Sequence, residues 1–217
     1  METNFGLEIP RGLEEVCRPE RMALVVYDMQ VGIVSQIPMG AQITARVVQV
    51  LRAAREGGFR VFFTRHLSLP KEVAGVTQLR TALAWQRVSR VEEIKPWFLR
   101  DSPGFQLLPE LAPLPSEAVL DKIAMSAFVG TPLDIALRDC GLISFAVAGI
   151  ALEVGIAPTV YHATDLGYIP WSLPTLAAFA IRRRQIVPWN LFVLRGIPWR
   201  PTWRPFAACT RAMGDHE

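Results

Sequence analysis

The chain is poor in cysteine and has no long apolar run. Cys17, Cys140 and Cys209 are an odd number at wide spacing with no C-x-x-C pair, which speaks against a disulfide framework and against a thiolate zinc site. The strongest apolar stretch, Leu142 to Leu152, is far shorter than the roughly 20 residues a membrane-crossing helix needs. The first residues carry Glu2, Glu8, Glu14 and Glu15, unlike the basic start of a secretory leader or the Arg-rich start of a transit peptide; a cytoplasmic protein is expected. No G-x-G-x-x-G or Walker loop and no internal repeat is present, so no nucleotide or other cofactor is implied. Acidic residues are scarce in one region: 171–217 hold seven Arg, no Lys and two acids, whereas 1–170 hold 16 Lys and Arg against 18 Asp and Glu.

What is there has a regular order. Met22 to Tyr27 is an unbroken apolar run ending in Asp28, the pattern of a buried strand that delivers a carboxylate at its C-terminal end, where open α/β sheets place their chemistry. Apolar positions at helical spacing follow over 41–55, closed by Gly57 and Gly58, and a second strand is expected at 59–64. Residues 71–95 read as a polar, partly helical excursion, and 95–115, with its repeated prolines, as a loop over the surface. Short strands at 118–121 and 145–150 alternate with helices at 131–140 and 152–166. Strand and helix in alternation, with unbroken apolar strands, specify an α/β fold: a doubly wound, mostly parallel sheet with helices on both faces.

Three strand ends then carry the chemistry: Asp28, Lys122, and the turn Gly149-Ile150-Ala151-Leu152-Glu153-Val154-Gly155 that opens a helix. Together with Met29-Gln30, Thr64-Arg65-His66, the segment from Asp121-Lys122 through Ser126-Ala127-Phe128 to Asp134, and Asp165-Leu166-Gly167-Tyr168, this order resembles the isochorismatase-like hydrolases, a superfamily that includes nicotinamidases and N-carbamoylsarcosine amidases. The resemblance covers about residues 20 to 170 and implies a Rossmann-like three-layer fold, a small-molecule substrate and a homo-oligomer. In the amide-cleaving members an Asp, a Lys and a Cys form the catalytic triad. The first two map onto Asp28 and Lys122; the nucleophilic cysteine falls on Gly155, and neither Cys140 nor Cys209 lies at a spacing that replaces it. Without a thiolate the usual covalent acyl-enzyme cannot form.

The resemblance therefore leaves three readings. Isochorismatases proper also resemble this chain in carrying glycine at that position, and there Asp28 would act as general acid on a vinyl ether, with Lys122 facing an anionic or carbonyl-bearing substrate. A second reading is an amidase in which Asp28 or Glu153 activates water directly. A third is a relative that binds a metabolite, or serves as an oligomeric interaction protein, without turnover. Around these residues, Gln30, His66, Trp97, Phe128, Ile150, Ala151 and Glu153 are candidate substrate contacts. His66 equally suits a structural histidine, Trp97, Phe98 and Phe128 equally suit the core, and Glu153 equally suits a carboxylate that complements a helix N-terminus. The family's peptide at Ile150-Ala151 is cis. Metal binding is not expected, because nicotinamidases place an Asp-x-His pair where this chain has Thr64-Arg65-His66.

The organisation expected is a hydrolase domain over 1–170 and an atypical Arg-, Trp- and Pro-rich segment over 171–217, where relatives continue with a further apolar strand, an Asp-Ala turn and a terminal helix. Three origins fit that composition: an out-of-frame reading of a GC-rich gene, a basic tail that contacts nucleic acid or an anionic membrane surface, or a divergent folded tail using the apolar run 176–181. Without a genuine basic tail, neither nucleic acid nor membrane is an expected partner. Translating the resequenced gene in all three frames beyond the Pro170 codon separates them: the first predicts a shifted frame encoding the missing strand, turn and helix, and the absence of such a frame rules it out.

Overall fold

The computed structural model describes residues 1–178; side chains are described through residue 172. Expectations placed on 179–217, and with them Cys209, lie outside the described residues.

A short antiparallel hairpin comes first, β1 (Glu2–Asn4) against β2 (Leu7–Ile9), followed by one helical turn, α1 (Leu13–Val16). Neither was visible in the polar, unpatterned opening of the sequence. The sheet then begins with β3 (Met22–Tyr27), every residue of which is buried. After the short α2 (Val31–Val34) and the long α3 (Gly40–Glu56) comes β4 (Arg60–His66). An outlying helix α4 (Val76–Gln86) precedes β5 (Ala118–Lys122). Next are α5 (Leu133–Asp139), β6 (Ser144–Ile150), a π-helical turn over Leu152–Ile156 running into α6 (Ala157–Asp165), and β7 (Ile169–Ala178). The five strands lie in the order β5-β4-β3-β6-β7 and all four pairings are parallel.

Alternation along β3 builds two cores from one strand. Met22, Leu24 and Val26 point to the face covered by Ile43, Val47, Val50, Leu51 and Ala54 of α3. Ala23, Val25 and Tyr27 point to the other, against Leu133 and Leu137 of α5 and Ile156 and Ala163 on the turn and helix after β6. Burying a leucine or valine contributes about 1.5–3 kcal/mol, and β3 does so on both faces, which explains why its sequence is unbroken rather than alternating.

The proline-bearing stretch 95–115 is anchored rather than draped. Phe98, Phe105 and Leu111 are buried, and Asp121 at the end of β5 takes Arg65 and Arg100, each at 2.7 Å. Arg55, at the end of α3, grips both carboxylate oxygens of Glu117 at 2.8 Å and the Leu111 carbonyl at 3.0 Å. The stretch is thereby held beside the C-terminal ends of β4 and β5.

Strand β7 crosses residue 170, the boundary expected from composition. It pairs with β6 from Ile169 opposite Ser144 to Ala178 opposite Ile150, with a register shift between Val147 and Gly149. Among the described residues no helix is long and apolar enough to cross a membrane.

One contact in the sheet admits no side chain. Gly149 has φ 145°, and a Cβ there would overlap the Tyr27 carbonyl oxygen and lie 2.9 Å from the Tyr27 carbonyl carbon and nitrogen, at the step where β3 and β6 pair. Backbone cannot swing aside as a flexible side chain can. Gly149→Ala should therefore destabilise the protein by more than about 3 kcal/mol, read as a lower urea midpoint. A change below about 1 kcal/mol would mean that this strand pair is looser than its geometry indicates.

Candidate active site

The sheet delivers its chemistry at one end. Asp28 follows β3, Lys122 ends β5, His66 ends β4 and Ile150-Ala151 follows β6, and residues from all four positions line one cavity of about 480 Å³. The order β5-β4-β3-β6 brings these strand ends side by side although they are far apart in sequence.

Asp28 leaves the strand with φ 49°, in the left-handed region, which turns its carboxylate back across the sheet towards β4 and β5. Its amide faces the Thr64 carbonyl at 3.2 Å. One carboxylate oxygen accepts the Thr64 hydroxyl at 2.7 Å and the other accepts the Lys122 ammonium at 2.7 Å. Both charged side chains are nearly out of solvent, 8% exposed for Asp28 and 1% for Lys122. The ammonium also donates to the Ala124 carbonyl at 3.3 Å and sits 4.4 Å from the centre of the Tyr27 ring, a cation–π position.

Tyr27 is the residue that reading the sequence as a strand did not single out. Its ring fills the inner wall of the cavity and its hydroxyl donates to the Met125 carbonyl. Burial, reinforced by the charge of Asp28, pushes the phenol well above its ordinary range, so it stays a neutral donor. A Cβ at Gly155 would lie 2.5 Å from Cζ of this ring and would overlap its hydroxyl. The volume that a side chain at 155 would enter is already taken by Tyr27.

His66 lines the cavity with its ring edge-to-face on Phe98, centroids 6.0 Å apart. Desolvation depresses its pKa, the nearby Asp28 raising it and Lys122 lowering it further, so at neutral pH it is an uncharged imidazole. The Ile150-Ala151 peptide is cis. In the turn that follows, the amides of Gly155 and Ile156 both donate back to the Ala151 carbonyl, at 3.0 and 3.2 Å, and are not offered to a ligand. Trp97 also lines the cavity.

Three of the candidate contacts are placed elsewhere. Gln30 is fully buried, and its amide accepts from the His66 backbone at 2.6 Å and donates to the carbonyls of His66 at 3.1 Å and Phe105 at 2.9 Å. With its amide so engaged, Gln30 ties the end of β4 to the 95–115 stretch instead of meeting a substrate. Phe128 stacks on Tyr168 at 5.7 Å and packs near Phe145; it belongs to the α5–α6 core. Glu153 lies on the π-helical turn and does not line the cavity.

The residues that sequence reasoning missed come from the excursion between β4 and β5. Trp85, Ala84 and Arg87, at the end of α4, form part of the cavity wall. Arg87 also has a left-handed backbone, φ 55°, where the helix stops. Thr64 was legible only as one member of a triplet, although its place opposite Tyr27 in the β3–β4 register sets it beside Asp28. Among the described residues no group of three or more His, Cys, Asp or Glu is gathered as a metal site.

Comparison with known proteins agrees with this geometry. The family model described as the isochorismatase domain matches residues 22–175. Ureidoacrylate amidohydrolase RutB of Cronobacter sakazakii is 28% identical over 165 residues, spanning 69% of this chain and 71% of that protein. Its counterpart in Serratia proteamaculans is 28% identical over 184 residues, spanning 77% and 74%. The crystal structure of N-carbamoylsarcosine amidase from Thermoplasma acidophilum superposes with a TM-score of 0.63 at 22% identity, covering 75% of this chain and 87% of that one. A cysteine hydrolase from Pseudomonas syringae pv. phaseolicola gives 0.59 at 27%, covering 75% and 74%. With the parallel sheet, the strand-end Asp28 and Lys122 and a match over most of its length, the chain belongs to the isochorismatase family of hydrolases.

Proposed function

We propose that the protein hydrolyses a C–N bond beside a carbonyl in a small carboxylate-bearing metabolite, using water activated directly by Asp28 and no covalent intermediate. The observation that carries this reading is the pairing of an assembled Asp28–Lys122 site with a position 155 closed by Tyr27. Gly155 offers no nucleophile and Tyr27 fills the space beside it, so the attacking group comes from solvent.

The hydrogen bonds favour Asp28 as base over Asp28 as acid. Its two oxygens accept from an ammonium and a hydroxyl, and a proton on the oxygen that faces Lys122 would oppose a group that can only donate. A carboxylate offers about four lone-pair directions, which leaves room for a water in the cavity. That water's oxygen bonds to the substrate carbonyl carbon while its proton passes to Asp28. The tetrahedral adduct then collapses, the C–N bond breaks, and Asp28 returns the proton to the leaving nitrogen. Lys122 balances the carboxylate throughout, held over the Tyr27 ring.

For the substrate, Arg87 lines the cavity; its backbone amide closes α4 on the Leu83 carbonyl, and its guanidinium is paired with no described residue. A guanidinium so placed suits a carboxylate. Two relatives are named for ureidoacrylate and for N-carbamoylsarcosine, and an N-carbamoyl carboxylate is the class we carry over. Its carbonyl would meet Asp28 and its acid Arg87.

Ammonia release from a panel of N-carbamoyl amino acids tests the reading. Asp28→Asn should lower kcat by at least about 100-fold. Because that variant strands the buried Lys122 ammonium, at a cost of about 3–5 kcal/mol, Asp28→Asn with Lys122→Met serves as the better-folded companion, checked by melting. Turnover retained within about threefold in either variant would overturn the role of Asp28, and binding without any turnover by the wild type would make the protein a metabolite-binding relative instead. Gly155→Cys, for its part, should remain without acyl-enzyme formation and should lose about 1–3 kcal/mol of stability through overpacking against Tyr27; a stable variant with a trappable thioester would refute the closure of position 155.

A further inference from the structure

Beside the cavity of Asp28 and Lys122 lies a second hollow of about 240 Å³. The two share His66, Trp85, Trp97, Phe98 and Met125, so the hollow adjoins the cavity that holds Asp28 along these side chains. Its surface is mostly apolar. No acidic side chain lines it, and the one cationic residue that does, Lys71, donates its ammonium to the Glu92 carbonyl at 3.0 Å.

Helix α4 forms one side of this hollow, and its packing is unusual. Val76, Leu79, Ala82, Leu83 and Trp85 make it substantially apolar, yet none of its residues is buried. The helix contributes to neither core of the sheet. Trp85 remains 43% exposed and Trp97 37% exposed, two large aromatic surfaces left open beside a catalytic pair. Exposed apolar surface concentrated at a polar site marks a place where a ligand is covered.

We infer that this hollow receives an apolar arm of the substrate: the molecule cleaved at Asp28 carries an aromatic or branched alkyl group that packs against Trp85, Trp97 and Phe98. The inference rests on the proposed reaction for its reacting carbonyl, and it narrows the substrate class to N-carbamoyl or amide derivatives of apolar amino acids. In such a molecule the carboxylate, the scissile carbonyl and the apolar side chain branch from neighbouring atoms, matching Arg87 and Asp28 in the cavity and the hollow that adjoins it. A hollow of about 240 Å³ is many times the roughly 10–15 Å³ of such space that one water requires, room for a phenyl or isobutyl group.

Two measurements test it. In the first, kcat/KM is compared for the N-carbamoyl derivatives of glycine, alanine, leucine and phenylalanine. The leucine and phenylalanine derivatives should exceed the glycine derivative by about 30-fold or more, since each buried methylene contributes to transition-state binding. Ala82→Trp, which fills the hollow from α4, should compress that ratio to about threefold or less. In the second, acetate and 3-phenylpropionate are titrated against the full-length protein by tryptophan fluorescence, with no reaction required. The aromatic acid should bind at least about tenfold more tightly, and Trp85→Ala should remove most of that advantage. Turnover with no preference for apolar side chains would overturn the inference and leave the hydrolytic reading standing. Selective binding of the aromatic acid by a protein that turns nothing over would support the hollow and defeat the hydrolytic reading. Equal affinity for the two acids would overturn the inference whatever the activity.

Discussion

An ammonium and a carboxylate taken out of water each lose several kcal/mol of hydration, and Lys122 and Asp28 are almost entirely hidden at the end of the sheet. Neither ion is tolerable there alone. The structure around them meets that demand from three strands: β5 brings the lysine, β3 the aspartate, and β4 the hydroxyl of Thr64 that occupies the second carboxylate oxygen. The Ala124 carbonyl and the Tyr27 ring attend to the rest of the ammonium. Such a network is favourable only when every member is in place. The parallel register of β3, β4 and β5, and the left-handed turn at Asp28, are thus held as much by the ion pair as they hold it.

The cavity grows from the same constraint. Because the pair sits at the C-terminal ends of the strands, the segments leaving those ends must pass around it, and they supply its walls. The 95–115 stretch is drawn in by Gln30, by the arginines on Asp121 and by Arg55 on Glu117. Helix α4 buries none of its residues; it is tied to the same stretch through Gln86 and the Lys95 backbone and completes the wall through its last turn.

How far the sequence discloses this depends on the kind of force involved. Residues 22–27, 59–64 and 145–150 announce buried strands because burial on both faces leaves no alternative composition, and the structure places β3, β4 and β6 there within a residue or two. Asp28 and Lys122 were legible because strand ends are where such sheets do chemistry. The amphipathic stretch 41–55 likewise betrays α3. Gln30 and Phe128 were misplaced because their residue types say nothing about direction: an amide adjacent to a catalytic carboxylate can face the substrate or the backbone, and only the curl of 95–115 decides it. Arg87 and Trp85 were invisible because α4 buries nothing and leaves no core periodicity to read. Tyr27 was read correctly as a strand residue, but its reach across to Gly155 is a tertiary fact, set by how closely β6 and its turn approach β3.

That approach has a bearing on how such a protein can change over generations. Tyr27 is flanked by two glycines on neighbouring segments, its carbonyl against Gly149 and its phenol against Gly155. For a lineage moving between a form with a side chain at 155 and this one, the two orders of replacement differ in cost. With Tyr27 in place, a side chain at 155 meets the phenol and costs stability, so the least costly order removes bulk at 27 before adding it at 155. The passage therefore runs through an intermediate with a small residue at both positions and an unfilled gap beside the ion pair. Once the ring has closed that gap, any Cβ gained at 155 meets the Tyr27 ring, and the present arrangement resists reversal as an evolutionary ratchet does.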